Sequence, residues 1–101
     1  MLKFHYAPQQ PLRLVAQSRW DDALQRASPG RGVLALRARP AQDSSRMWID
    51  APKEPRGYAR DLYANLHALD ASGCDEILVE APPATPDWAA VRDRLTRAQS
   101  G

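Results

Sequence analysis

Cysteine is almost absent from the 101-residue chain, and its scarcity excludes two classes of small protein. With Cys74 as the one cysteine, no intramolecular disulfide can form, and no zinc site based on several cysteines can be assembled. A reducing cytoplasm suits this composition. Cys74 follows Gly73 and precedes an apolar run, a position typical of a small buried residue.

Long apolar runs and a large excess of one charge are also lacking. No stretch approaches the ~20 residues of a membrane-spanning helix, and no basic start is followed by an apolar run of signal-peptide length. We therefore expect a soluble, cytoplasmic protein with no membrane partner. The 14 basic and 12 acidic residues give a net charge of +2 and are spread along the chain, unlike the concentrated positive field of most nucleic-acid-binding proteins.

Phosphate-binding glycine motifs and clusters of metal ligands are missing too. Neither G-x-x-x-x-G-K-[ST] nor G-x-G-x-x-G occurs, and "GRG" at 30–32 lies between a predicted helix and a predicted strand, the reverse of the order that these motifs need. His5 and His67 are far apart in sequence and do not indicate a metal site. Glu80 ends an apolar run, where a solvated charge is expected. We predict no catalytic residue and no metal site.

What the chain does contain is an alternation of strand and helix patterns. Apolar runs predict four strands, over residues 11–17, 32–39, 46–50 and 75–81. The continuous run at 32–39 is typical of a central strand buried on both faces. Helical spacing predicts one helix after an N-cap at Ser18, one over 56–71 and one after an N-cap at Thr85. The class is therefore α/β, with about three helices packed on a mainly parallel sheet of about four strands.

The length of the chain allows one compact domain with one hydrophobic core. Trp20, Trp48 and Trp88 come from three different predicted elements, so we expect all three to contribute to that core. The segment before the first strand, residues 1–11, carries two prolines, and composition and periodicity alone do not explain it. Residues 12–101 then form a single α/β domain.

A resemblance to a known family covers nearly the whole chain. It rests on "MLKFHYAP" with "PLRL" after it, on "YARDLYANLHALDASGCDEILVEAPP" and on "AAVRDRLTRA". Together these stretches resemble the C-terminal accessory domain of the long, two-domain form of L-threonylcarbamoyladenylate synthase. The family's helix pattern A-R-N-L-F-x-x-L-R-x-L-D matches residues 59–70, with Asp61 in place of asparagine and His67 in place of arginine. Trp88 stands where the closing pattern usually has glycine, so an indole occupies space that a glycine leaves open.

The resemblance implies a Rossmann-like accessory domain docked on a catalytic domain, in cis in a longer protein or in trans. That enzyme condenses threonine, bicarbonate and ATP into threonylcarbamoyl-AMP, which feeds N6-threonylcarbamoyladenosine formation in tRNA. The catalytic residues belong to the other domain, so this chain is not expected to be an enzyme on its own. In the family a linker gates the active site, and the resemblance implies that residues 1–11 are the matching linker-like segment. Phe4, His5 and Tyr6 would then fill the cavity, while Pro8 and Pro11 would stiffen the segment.

Two alternatives stay open beside gating, and the opening residues could also simply pack against the first strand. The first alternative is a stand-alone module for ATP or ADP, with the loops after Ala16, Arg39 and Ala81 as its binding edge. No cofactor is expected for the isolated chain, although the resemblance allows ATP. The second is a structural domain that contacts tRNA through the arginines of the first half. The candidate contact residues for a nucleotide or a partner are Ser18, Arg37, Arg39, Arg60 and Arg94.

Overall fold

The computed structural model describes residues 8–100, the last of them by its backbone alone, and within this range it has the predicted α/β architecture. Its elements in chain order are β1 (Leu12–Val15), α1 (Trp20–Arg26), β2 (Arg31–Ala35), β3 (Met47–Asp50), α2 (Pro55–Ala71), β4 (Glu76–Glu80) and α3 (Ala89–Ser100). Two short 3-10 turns, Gln17–Arg19 and Pro86–Trp88, precede α1 and α3. Because each helix follows a strand of a parallel sheet, all three helices begin near the carboxyl edge, meaning the edge where the strands end.

The four strands form one parallel sheet in the order β1-β4-β2-β3. The prediction that the apolar run after Gly32 is a central strand is confirmed, since β2 lies between β4 and β3. The predicted end of this strand at residue 39 is wrong, because β2 stops at Ala35. The next residue, Leu36, donates its backbone N–H to the Glu80 carboxylate at 2.8 Å. The Glu80 side chain, from the end of β4, therefore takes the place of the next backbone acceptor in the strand pairing.

The sheet separates two apolar layers. On one face α2 and α3 bury Leu62, Leu66 and Leu95 against Leu34. On the other face the short helix α1 packs against alternate residues of the same strands. Each fully buried leucine contributes roughly 1.5–3 kcal/mol to stability, so the two-helix face carries most of the stabilisation.

The three tryptophans do not share one core, contrary to the prediction. Trp20 and Trp48 lie in the α1 layer, with ring centroids 6.2 Å apart in an edge-to-face arrangement. Trp88 lies across the sheet, edge to face with Tyr58 at 5.5 Å. Successive strand residues point to opposite faces, and each helix presents its tryptophan to the layer on which it packs. Residue spacing alone does not say which face each helix covers.

The helix starts differ from the sequence prediction at Ser18. Ser18 lies inside the 3-10 turn and is exposed, while Arg19 takes the N-cap position of α1 without a side-chain hydrogen bond. The turn itself bonds the first N–H groups, from Arg19 to Ala16 and from Trp20 to Gln17, so no side-chain cap is needed. Thr85 does hold the cap position of the second 3-10 turn, but its hydroxyl donates to Asp87 and not to the backbone.

The helix with the clearest sequence pattern, α2, has a capping residue at its start and a glycine in the left-handed conformation after its end. Glu54 precedes Pro55, and its carboxylate accepts the backbone N–H groups of Arg56 and Gly57 at 3.1 and 2.6 Å. After the helix Gly73 adopts φ +85°, a left-handed conformation that favours glycine. Cys74 follows and is buried, as its position in the sequence predicted.

Candidate functional site

The described part of the chain begins where the predicted linker enters the domain. Phe4, His5 and Tyr6, the predicted gating residues, lie outside the described residues. Pro8, the fourth of that set, is half-buried. The two residues after it, Gln9 and Gln10, donate their backbone N–H groups to the two carboxylate oxygens of Asp70, at 3.0 and 3.2 Å. We call this pair of bonds the Asp70 anchor.

Asp70 occupies an electrostatically unfavourable place in its own helix. It lies in the last turn of α2, next to the negative end of the helix dipole, and no basic residue is present in that turn. A carboxylate there costs roughly 0.3–1 kcal/mol. Two hydrogen bonds from backbone N–H groups to a charged acceptor offset that cost. The hydrogen bonds to Gln9 and Gln10 therefore compensate for a carboxylate at this end of the helix.

Sequence reasoning placed Asp70 at the end of the family's helix pattern but gave it no role. The anchor joins residues 60 and 61 positions apart, so no local window contains both partners. One signal was available: an acidic residue in the last turn of a predicted helix lies at the negative end of the helix dipole, where hydrogen-bond donors from elsewhere in the chain offset the cost. The anchor is the main feature near the linker that the sequence prediction missed.

The carboxyl edge of the sheet is organised around Glu80. The Glu80 side chain is 3% exposed, and it accepts N–H bonds from Leu36 at 2.8 Å and from the Arg37 guanidinium, with the shortest at 2.8 Å. The prediction that Glu80 is a solvated strand-end charge is wrong, because these donors replace water around the carboxylate. Arg37 also lies over the Trp20 ring, with its guanidinium carbon 5.9 Å from the ring centroid. Its hydrogen bond to Glu80 raises the pKa of Arg37 against the opposing effect of burial.

Tyr58 adds a neutral phenol near this edge. Its side chain is buried, and burial together with the negative charge of Glu80 raises the pKa of Tyr58 far above its ordinary value. Its hydroxyl has no hydrogen-bond partner among the described residues, and the same holds for the indole nitrogen of Trp20. No described set of three or more His, Cys, Asp or Glu side chains could hold a metal ion. The edge therefore offers a paired carboxylate and shielded aromatic rings.

Arg39 braces the loop between β2 and β3. Its guanidinium contacts the Asp43 carboxylate at 3.0 Å and donates to the carbonyl of Ser45, and Arg31 binds the same carboxylate at 2.9 Å. The Asp43 side chain is 3% exposed. Burial would raise the pKa of Asp43, but hydrogen bonds from Ser45, Arg31 and Arg39 outweigh it and hold the pKa below its ordinary value. Arg39 is thus engaged inside the domain.

The five predicted contact residues do not converge on one site. Ser18 and Arg37 both follow strands at the carboxyl edge. Arg39 is directed to Asp43, which also binds Arg31 at the start of β2. The remaining two lie on helices of the opposite face, where Arg60 pairs with Asp61 at 3.0 Å and Arg94 is exposed. These residues do not form a common nucleotide pocket, and their contact roles remain predictions.

Comparison with known proteins identifies the family of this chain. The family model described as "Threonylcarbamoyl-AMP synthase, C-terminal domain" matches residues 1–100. Neither the curated proteins nor the solved structures include a match to this chain. In the described range, no helix combines the length and the apolar character needed to cross a membrane. The match covers almost every residue, and the chain belongs to the family of threonylcarbamoyl-AMP synthase C-terminal domains.

Proposed function

We propose that this chain is a non-catalytic accessory domain that fixes one end of a gating segment over the active site of a threonylcarbamoyl-AMP synthase catalytic domain. The family places the chain in an enzyme of tRNA modification. The observation that carries the gating role is the Asp70 anchor, which bonds the backbone of Gln9 and Gln10 near the end of the predicted linker. The catalytic domain would bind ATP and threonine, and this chain would control access to them from the same protein or from a separate one.

A gate needs a fixed end and a reach long enough to cover a cavity. The anchor supplies the fixed end at Gln9 and Gln10. Covalent geometry allows each residue before it to add at most about 3.3–3.6 Å to the reach of the segment. Pro8 and Pro11 each fix one backbone dihedral, which lowers the conformational entropy lost when the segment closes. Phe4, His5 and Tyr6 supply the volume that would fill a polar cavity.

The carboxyl edge gives less support to the stand-alone nucleotide module. A phosphate at this edge would use the free N–H groups at a helix start. At the start of α2 the Glu54 carboxylate already accepts those N–H groups, and it would repel an anion. Arg37, the nearest cation to this edge among the predicted contacts, is bonded to Glu80. These contacts favour the accessory role over nucleotide binding.

The test joins this chain to the carboxyl end of a threonylcarbamoyl-AMP synthase catalytic domain and measures pyrophosphate release that depends on threonine and bicarbonate. Asp70→Ala removes both anchor bonds. Because the bonds are partly solvated, we expect a loss of about 1–2 kcal/mol in segment closure, equivalent to a fall of roughly 5–30-fold in kcat/KM. The matched control is Asp93→Ala, which removes an exposed helical carboxylate paired with Arg97.

Two further variants calibrate the effect of Asp70→Ala, and two results would contradict the proposal. Asp70→Asn keeps one acceptor oxygen, so it should give an intermediate loss, and Asp93→Ala should give none. A normal kcat/KM for Asp70→Ala, in a protein whose urea unfolding shows an intact domain, would contradict the proposal. Turnover by the 101-residue chain alone would contradict its non-catalytic role.

A further inference from the structure

A groove beside the free edge of β1 is lined by three arginines. Its walls include Arg13 from β1, Arg19 and Arg26 from the turn and helix that follow, and Gln99 from the end of α3. Asp22 is the acidic residue among its lining side chains. We call this feature the β1 groove. None of these side chains takes part in the Asp70 anchor or in the contacts of Glu80 with Leu36 and Arg37.

The arginines are spaced along the groove. Arg13, Arg19 and Arg26 come from three successive elements, namely β1, the 3-10 turn and α1, and all three line the groove. Arg13 projects from β1 toward the same layer as Val15, one wall across from the helix. A linear polymer bound along the groove would therefore contact several guanidinium groups.

The ion pairs in the groove are weak enough to be exchanged. Arg26 pairs with Asp22 at 3.0 Å, but the two side chains are 78% and 65% exposed. Exposed pairs of this kind contribute only about 0.3–0.5 kcal/mol. Arg13 reaches Glu76 at 3.4 Å with half of its side chain exposed. Within residues 8–100 the side chain of Arg19 makes no ion pair and no hydrogen bond, so all its guanidinium donors are available.

Gln99 decides which kind of partner the groove fits. Its side-chain oxygen accepts the backbone N–H of Leu14 at 2.7 Å, which is a donor on the free edge of β1. An extended peptide that added to the sheet as a fifth strand would need that same N–H group. With the oxygen engaged, the amide nitrogen of Gln99 keeps two N–H donors at the groove. The groove thus offers N–H donors from four side chains and is closed to strand addition.

We propose that the β1 groove binds the phosphate backbone of an RNA. Guanidinium groups bind phosphate oxygens with paired N–H bonds, and three of them in one groove fit a polyanion better than a single small anion. The family acts in tRNA modification, so a tRNA is the available RNA. The arginines predicted for this role from sequence, Arg37 and Arg39, are bonded to the buried carboxylates of Glu80 and Asp43. This proposal does not depend on the gating role.

The experiment titrates a fluorescein-labelled, unmodified tRNA transcript with the 101-residue chain and follows anisotropy at two salt concentrations. Contacts to about three phosphates predict a slope of log K against log salt between about −2 and −3. A fourfold rise in salt should then weaken binding by about 15–60-fold. The triple variant Arg13→Ala, Arg19→Ala, Arg26→Ala should bind at least tenfold more weakly at the lower salt. A matched triple variant, Arg56→Ala, Arg92→Ala, Arg97→Ala, removes the same charge at exposed positions outside the groove and should change affinity less than threefold.

Gln99→Glu gives a second test that keeps the fold. A glutamate oxygen can still accept the Leu14 N–H, but the substitution removes the two amide donors and adds a negative charge. We expect weaker tRNA binding with an unchanged melting temperature. Absence of binding at low salt, or an equal loss in the control triple variant, would overturn the proposal. Equal binding of a labelled polyglutamate peptide, lost in the same groove variants, would also overturn it in favour of an acidic protein partner.

Discussion

The ion pair between the buried Glu80 and the partly exposed Arg37 gives the sharpest test of what stabilises the carboxyl edge. Glu80→Ala removes the acceptor for the Leu36 N–H, the partner of the Arg37 guanidinium and two carbon atoms of a nearly buried side chain. Glu80→Gln keeps the shape and one acceptor oxygen while it removes the charge. The two substitutions therefore separate the hydrogen bond and packing from the ion pair.

The magnitudes follow from the exposure of each group. The bond from Leu36 to a charged acceptor contributes about 1.5–3 kcal/mol. The Arg37 side chain is 42% exposed, so its pairing contributes no more than about 1 kcal/mol after solvent screening. The space left by the lost carbon atoms adds a smaller cost. We expect Glu80→Ala to lower the free energy of unfolding by about 2–4 kcal/mol and Glu80→Gln by about 1 kcal/mol.

Urea unfolding followed by tryptophan fluorescence and circular dichroism measures both free energies of unfolding. In a domain of this size a loss of 2–4 kcal/mol lowers Tm by roughly 10–30 °C. Asp93→Ala, at an exposed position on α3, serves as the control and should stay within about 0.5 kcal/mol of the unchanged chain. A cost below about 1 kcal/mol for Glu80→Ala, or equal costs for Ala and Gln, would refute the reasoning.

Two further predictions concern the helix starts and the β2–β3 loop. Glu54→Ala should lower the free energy of unfolding by about 1 kcal/mol because it removes the cap of α2, whereas Ser18→Ala should cost less than about 0.5 kcal/mol; equal costs in urea unfolding would contradict the cap assignment. The lowered pKa of Asp43 stabilises the fold above its unfolded pKa of about 3.9, and that stability is lost as the pH falls through the lower folded value. Asp43→Asn should therefore reduce stability at neutral pH and flatten the dependence of unfolding free energy on pH below about 4; an unchanged acid dependence would count against the network.

Local patterns were sufficient for most of the fold. The spacing of Tyr58, Leu62, Leu66 and Leu69 predicted a helix over 56–71, and α2 runs from Pro55 to Ala71. The apolar run around Leu78 predicted a strand over 75–81, and β4 spans Glu76–Glu80. The helix buries one face along its length, so its apolar period is strong, and β4 is buried on both faces, so its apolar run is continuous.

The features that the sequence did not predict depend on contacts between distant residues. Glu80 is buried because Leu36 and Arg37, more than 40 positions away, donate to it. Asp70 has an anchoring role only because Gln9 and Gln10, about 60 positions earlier in the chain, lie beside the end of α2. The two tryptophan layers likewise follow from which face each helix covers. No window along the chain contains both partners of such contacts, so local pattern reasoning cannot place them.

The central claim is that this domain docks on a threonylcarbamoyl-AMP synthase catalytic domain and holds the gating segment there. An amide-resolved NMR spectrum of the labelled chain, recorded while a separately made catalytic domain is added with and without threonine and ATP, tests it most directly. The account predicts shifts in residues 2–7, at Gln9 and Gln10, and on one face of the domain, and it predicts larger shifts when the substrates are present. A spectrum unchanged by the catalytic domain, or one that shifts with ATP alone, would contradict it.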